Sequence, residues 1–262
     1  MKKSVAVITG GSSGLGEAAA LRFAKDGYDI VLLDVDKTGG ERVADAVRAL
    51  GNTATFHFCD VGDPGSVEAA AHMVSENFGP VEILVTSAAL QPNPECIMTM
   101  NMDGHDKMWR VNYFGTVYTC QAFARLMIPN NKGSIVTLGS IHSRMPLPLP
   151  GYNVIKVAIE RFTQLLAVEL GRFCIRVNCV GPTHVMTPPL IQAIKDGERD
   201  ESKIMAPHAL PYLPEPEDVA DAIAFLASDH AKAITGVLLP VDSGIIAGDA
   251  FVSYAGGIPW LK

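Results

Sequence analysis

Apolar positions along the 262-residue chain fall into two alternating rhythms. Short runs rich in β-branched residues (SVAVIT, DIVLLD, ATFHF, VEILVT, SIVTLG, IRVNCV and GVLLPV) are apolar at nearly every position, the pattern of strands covered on both faces. Between them, GEAAALRFAKDG, ERVADAVRALG, SVEAAAHMVSENFG, the long stretch 104–127, YNVIKVAIERFTQLLAVELG and PEDVADAIAFLASD carry apolar residues at helical spacing. Strand–helix alternation predicts right-handed crossovers and an α/β fold with a doubly wound parallel sheet of seven strands. With no repeat, low-complexity tract or linker, residues 1–262 are expected to form a single domain.

Two segments interrupt the rhythm. IHSRMPLPLPG (141–151) holds too many prolines to be helical throughout, and 182–216 is proline-rich around a weakly helical centre, LIQAIKDGE. Ligands of open α/β sheets bind beyond the carboxyl ends of the strands. These segments are therefore expected to wall a pocket, with 182–216 as a lobe over it.

Composition narrows the function classes. Apolar residues make up 48% and charged residues 19%, which is the balance of a globular chain. A net charge of −7 with no basic run beyond Lys2-Lys3 argues against nucleic acid as a partner. No apolar run reaches the ~18 residues of a membrane span, and the N-terminus lacks the flanks of a signal peptide. Cys59, Cys96, Cys120, Cys174 and Cys179 show no C-x-x-C spacing, so buried reduced thiols in a cytoplasmic protein are expected.

The first chemistry lies in TGGSSGLG (Thr9 to Gly16), between the first predicted strand and helix. Gly10 permits a tight turn, Gly14 close backbone approach, and Gly16 close helix packing. Gly10, Ser12, Ser13, Gly14, Leu15 and Gly16 are thus candidate contacts to a pyrophosphate at a helix N-terminus. Asp34 ends the second strand, 18 residues beyond Gly16, where an acid accepts both ribose hydroxyls and repels a 2′-phosphate. No Arg or Lys occupies Ser12 or Ser13, so NAD is the expected cofactor rather than NADP.

Tyr152 and Lys156, in GYNVIK, share a helix face one turn apart. A free phenol titrates near pH ~10. A cation about 4 Å away at an effective dielectric of ~20 supplies about 4 kcal/mol, enough to make such a phenol an acid/base near neutrality.

With these motifs in this order, the chain resembles the short-chain dehydrogenase/reductase family, in its single-domain branch with a Rossmann-type fold. TGGSSGLG matches that family's T-G-x-x-x-G-x-G, Cys59-Asp60-Val61 its adenine-contacting segment, and Val111-Asn112 its helix asparagine. YNVIK matches Y-x-x-x-K; RVNCVGPTHVMTP and ITGVLLPVDSG match the last two strand segments. The resemblance implies Tyr152 as the acid/base, Lys156 as its electrostatic partner and ribose ligand, and Ser140 as the holder of the reacting oxygen. It implies Asn112 in a water relay, Asp60, Val61, Ser87 and Ala88 beside the nucleotide, and Pro182, Val185 and Thr187 around the carboxamide and phosphates. Ser143 rivals Ser140, and Asn112 has the alternative of bonding backbone within its own helix. The family's N-N-A-G is here Thr86-Ser87-Ala88-Ala89, its Pro-Gly is Pro182-Thr183, and its Asp-Gly-Gly is Asp242-Ser243-Gly244.

The pocket segments mix apolar Met145, Leu147, Leu149 and Leu190 with His142, Arg144, His184 and Gln192. His142 and His184 are candidate substrate contacts; with His208 they lack the spacing of a metal site, and no catalytic metal is expected. A small polyfunctional alcohol or ketone, such as a sugar, polyol or hydroxy-acid derivative, suits this mixture. A ketoacyl carrier protein reductase is the alternative, and a non-catalytic NAD-binding regulator a further one. The helices near 103–128 and 152–170 are apolar on more than one face, and single-domain relatives imply a homotetramer built on them. The aromatic tail 249–262 (Phe251, Tyr254, Trp260) is expected at a subunit interface.

Overall fold

The first strand, β1 (Val5–Thr9), is buried at every residue and sends alternate side chains into two cores. Val5 and Val7 join Val31 and Leu33 of β2 (Asp29–Asp34) on one face, while Ala6 and Ile8 join Ile30 and Leu32 on the other. In the computed structural model, which describes residues 3–91 and 94–252, both faces are covered by helices. On one side lie α1 (Gly14–Lys25), α2 (Lys37–Ala49) and α9 (Pro216–Ala227), through Phe23, Val43, Val47, Val219 and Ile223. On the other lie α3 (Pro64–Asn77), α5 (Gly115–Met127) and α6 (Pro150–Leu170), through Val67, Val74, Phe123, Met127 and Leu170. Each such fully buried large side chain contributes about 1.5–3 kcal/mol relative to exposure.

The remaining strands are β3 (Ala54–Phe58), β4 (Val81–Thr86), β5 (Gly133–Leu138), β6 (Ile175–Pro182) and β7 (Leu238–Val241). They complete a seven-stranded sheet of order β3-β2-β1-β4-β5-β6-β7, parallel at every pair. The winding direction reverses between β1 and β4, the topological position at which such sheets open a ligand crevice. The expected Rossmann-type, single-domain α/β architecture is therefore the one observed.

The stretch expected as one helix over 104–127 is three pieces. α4 (Met102–Met108) runs into a π-helical segment, Trp109–Phe114, before α5 begins. The wider turn coincides with Asn112, whose side chain is turned out of its own helix to bond the backbone of Leu90. Gly115 follows because a Cβ there would lie 2.7 Å from Val61 Cγ2.

Of the proline-rich segments, 141–151 folds as a short 3₁₀ turn (Ile141–Ser143) before α6, which starts at Pro150 with its pre-set φ. Residues 182–216 hold two short helices, α7 (Pro188–Lys195) and α8 (Glu201–Met205). The N–H groups of Ala209 and Leu210 both donate to the carbonyl of Ser243 at 2.9 and 3.0 Å, tying this segment to the end of the sheet. Helix α10 (Ile245–Val252) follows; Tyr254 and Trp260 of the expected tail lie outside the described residues. The expectation of five buried thiols needs correcting. Cys59, Cys120 and Cys179 are buried, but Cys96 sits exposed in the loop after β4, and Cys174 is exposed in a left-handed turn before β6.

Candidate active site

Because all seven strands are parallel, the residues that follow β1 through β6 lie along one edge of the sheet. Every site residue expected from the sequence sits there, or on α5's π-helical approach and the start of α6. After β1, Gly10 and Gly14 take positive φ values of 65° and 55°. A Cβ at Gly10 would lie 2.7 Å from Ala88 N, and one at Gly16 only 2.1 Å from Gly10 O. At Gly14 nothing lies within 4 Å of that point. The turn is thus packed to contact behind Gly10 and Gly16 and open at Gly14. Asp36 and Asp63 cap α2 and α3 with their side chains, whereas Ser13 makes no such bond to α1. The open face at Gly14 and the uncapped first turn, with Leu15 in it, fit an anionic pyrophosphate. Ser12 differs from its neighbours: its N–H donates to Asp34 Oδ2 (3.0 Å) and its hydroxyl to Asp36 O (2.9 Å).

Asp34 closes β2 against this turn. Besides Ser12, its carboxylate accepts the N–H groups of Val35 (2.7 Å) and Asp36 (3.1 Å). Three backbone donors fix its direction and leave acceptor capacity for a further hydroxyl. A basic side chain missed in the sequence also reaches this corner. Arg42 of α2 donates to Ser12 O at 3.2 Å, yet it is held by Glu17 through two bonds of 2.6 and 2.7 Å. After β3, burial pushes the Cys59 thiol up to about 11. Asp60 accepts Gly62 N at 2.9 Å in a local turn, and the Val61 side chain is buried beneath Gly115.

The replaced N-N-A-G segment keeps its anchorage by other means. Ser87 N donates to Thr9 O and Ala88 N to Thr9 Oγ1, both at 3.2 Å. Two residues on, Leu90 N donates to Asn112 Oδ1 (2.7 Å) and Leu90 O accepts from Asn112 Nδ2 (3.1 Å). Asn112, 1% exposed, is therefore a clamp between the π-helical segment and the loop after β4. The alternative of a bond within its own helix is excluded.

Tyr152 and Lys156 share the inner face of α6. Lys156 is 3% exposed, its Nζ donates to Leu138 O at 2.6 Å, and it lies 5.2 Å from the Tyr152 ring centroid. A buried ammonium over a phenol is an electrostatic device rather than a solvated surface pair. The choice between the two serines is also decided by partners. Ser143 donates to Lys156 O at 2.9 Å and so staples the turn to α6. Ser140, 5% exposed, makes only a long bond of 3.4 Å to Pro182 O and accepts His142 N at 3.3 Å. Its hydroxyl is the freer of the two.

Histidines gather beside this pair. The His142 ring meets Tyr152 edge-on at 5.3 Å between centroids. Burial, reinforced by Lys156, holds His142 below the usual histidine range. Burial does the same for His184, and the neighbouring His142, His208 and Arg199 act in the same direction. Thr183, standing where the family has glycine, bonds His208 Nε2 at 3.0 Å and joins the β6 exit to the 206–210 turn. Val185 is buried in the core, and Thr187 begins α7 without a side-chain cap bond. The Nδ1 atoms of His184 and His208 are buried without partners among the described residues. Those residues hold no group of three or more His, Cys, Asp or Glu side chains arranged to bind a metal ion, and no helix long and apolar enough to cross a membrane.

Arg42 is the site residue that the sequence does not announce, because its partners Ser12 and Glu17 lie 30 and 25 residues away and no local motif encodes them. Comparison with known proteins agrees with the geometry. The family model adh_short_C2, described as enoyl-(acyl carrier protein) reductase, matches residues 10–246. (+)-Borneol dehydrogenase 2 of Salvia officinalis is 35% identical over 251 residues, covering 92% of this chain and 88% of that one. The structure of NAD+-bound xylitol dehydrogenase superposes with a TM-score of 0.86 at 26% identity, over 91% of this chain and 97% of that one. ElxO with NADP bound gives 0.88 at 27%, over 94% of this chain and 100% of its own. With a matching model over most of its length and the Tyr152–Lys156 pair set beside an open glycine turn, the chain belongs to the short-chain dehydrogenase/reductase family of nicotinamide-dependent oxidoreductases.

Proposed function

We propose that this protein is an NAD-dependent dehydrogenase that interconverts a small polyfunctional secondary alcohol, of the sugar or polyol kind, and its ketone. The observation that carries the reading is the buried Lys156 ammonium 5.2 Å from the centre of the Tyr152 ring. Bound NAD supplies the hydride acceptor. Tyr152 takes the hydroxyl proton as the carbon gives up its hydride. Lys156 stabilises the negative charge that develops on the phenol oxygen, in a site where burial strengthens the interaction. Ser140 hydrogen-bonds the reacting oxygen. Asn112 acts as a positioning residue, since both ends of its amide are committed to Leu90, and a proton relay through it would use its backbone carbonyl.

Support for NAD over NADP comes from Asp34, aimed by three backbone N–H groups at the glycine turn, and from Glu17, which occupies Arg42. Ser13, Gly14, Leu15 and Gly16 would hold the pyrophosphate, Asp60 and Val61 the adenine, and Ser87, Ala88, Pro182, Val185 and Thr187 the nicotinamide half. Exposed Phe114, Val154, Val157, Leu165 and Val168 on the two long helical stretches support a homotetramer. A cytoplasmic location belongs to the same proposal and rests on five cysteines without C-x-x-C spacing. Following absorbance at 340 nm with secondary alcohols and polyols tests the reading. Turnover with NAD at a kcat/KM well above that with NADP is expected; equal values would overturn the role of Asp34.

A further inference from the structure

Asn153, directly after Tyr152, has its amide orientation fixed. Its Nδ2 donates to Leu147 O and Leu149 O, both at 2.7 Å. Turned over, it would set oxygen against two carbonyls, so Oδ1 must face the other way, where Leu147 N also points at 3.4 Å. His142 Nδ1 lies 3.2 Å from that Oδ1. An amide oxygen only accepts, so Nδ1 must carry the hydrogen. Neutral His142 is thereby locked as the Nδ1–H tautomer, with a bare lone pair on Nε2. Nε2 makes no hydrogen bond among the described residues and is not one of the sealed, unpartnered nitrogens. Both groups assigned to the reacting oxygen touch this residue: Ser140 Oγ accepts its N–H at 3.3 Å, and the Tyr152 ring packs on its edge.

We infer that His142 is a specificity-determining acceptor for a second hydroxyl, on the carbon next to the one oxidised, so that the preferred substrates are vicinal diols and polyols. This rests on the dehydrogenase reading above and narrows its substrate class. The adjacent carbon carries the substrate group nearest the reacting oxygen, and a hydroxyl there is a donor that a bare imidazole nitrogen can accept. A carboxylate there would meet a lone pair instead. Protonating His142 to accommodate one is opposed by burial and by Lys156 from α6 and favoured only by the Asn153 contact; His184 from the β6 exit is a further neighbour, and among the described residues no carboxylate acts on either ring.

Two measurements decide the matter. Histidine labelled with ¹⁵N should report neutral His142 as the Nδ1–H form in the wild type and shift towards the Nε2–H form in Asn153→Ala. A wild-type Nε2–H form overturns the inference. Kinetics with NAD use matched pairs: propan-2-ol with propane-1,2-diol, butan-2-ol with butane-2,3-diol, and cyclohexanol with cyclohexane-1,2-diol. The diol-to-monoalcohol ratio of kcat/KM should exceed about ten in the wild type and fall at least about five-fold in His142→Phe, the size of one lost hydrogen bond. Turnover with no diol preference, or a ratio unchanged in the variant, overturns the inference and leaves the dehydrogenase reading standing. Turnover of none of the six alcohols overturns that reading and the inference with it.

Discussion

Replacing Gly14 by alanine tests the nucleotide turn with its own internal controls. Gly14 has φ of 55° and nothing within 4 Å of where a Cβ would sit, so the added methyl meets no protein atom but occupies the open face of the turn. The left-handed conformation costs a non-glycine residue about 1–2 kcal/mol. For a chain of this size that lowers Tm by about 2–8 °C. If the open face receives the pyrophosphate, the methyl also disrupts at least one charge-assisted hydrogen bond, worth about 1.5–3 kcal/mol, and the Kd for NADH rises about ten- to hundred-fold. Gly27→Ala is the control. Its φ is 92°, its Cβ also meets open space, and it lies at the far end of α1, so stability should fall with NADH affinity intact. Gly16→Ala is the opposite case, because its Cβ would lie 2.1 Å from Gly10 O and must displace the turn. Overpacking of about 1–3 kcal/mol and weakened binding should appear together. Thermal melts and calorimetric titration with NADH measure both quantities. Wild-type affinity in Gly14→Ala, or an equal loss in Gly27→Ala, would refute the assignment of the turn.

The remaining predictions concern charge. Asp34→Ser removes a carboxylate whose repulsion of a 2′-phosphate about 5 Å away is about 3 kcal/mol per unit charge at an effective dielectric of ~20. The NADP-to-NAD ratio of kcat/KM should rise about hundred-fold, and further when Glu17→Gln also releases Arg42; an unchanged ratio would remove Asp34 from cofactor selection. Lys156→Met keeps the volume and deletes the charge. With 5.2 Å to the Tyr152 ring centre, the lost interaction is about 3 kcal/mol at the same dielectric, and kcat/KM should fall about hundred-fold. A fall of less than three-fold would contradict the electrostatic role. His142 and His184 titrate below the ordinary histidine range of about 6.5, so below that pH the unfolded chain binds protons that the folded chain does not. Their neutral burial is without penalty above that range, and stability falls as pH drops through it towards the folded values. Melting curves between pH 8 and 5.5 should show this decline and its flattening in His184→Leu; an equal slope in both proteins would refute it.

Much of this architecture is readable because strands buried on both faces leave an unmistakable trace. DIVLLD, ATFHF and VEILVT coincide end to end with β2, β3 and β4. Parallel pairing then carries every strand exit to one edge, which is why motifs scattered from Gly10 to Thr187 converge. What escaped were features set by partners rather than patterns. The π-helical turn at Asn112 depends on Leu90, whose backbone offers no sequence signal. Arg42 reaches Ser12 from α2 and is silenced by Glu17 of α1, two contacts that no local motif encodes. The rival serines are told apart by their partners: Ser143 spends its hydroxyl on Lys156 O, whereas Ser140 has only a long bond to Pro182 O. Cys96 and Cys174 were expected inside because their spacing offers no disulfide or metal framework, but both lie exposed in loops.

The central claim, that Tyr152 is the acid/base of a hydride-transfer site, meets its most direct test in Tyr152→Phe, assayed at 340 nm with NAD and the best alcohol of the panel. Removing one oxygen should lower kcat about a thousand-fold while leaving the Kd for NADH within about three-fold of wild type. A variant that turns over at the wild-type rate would contradict the account.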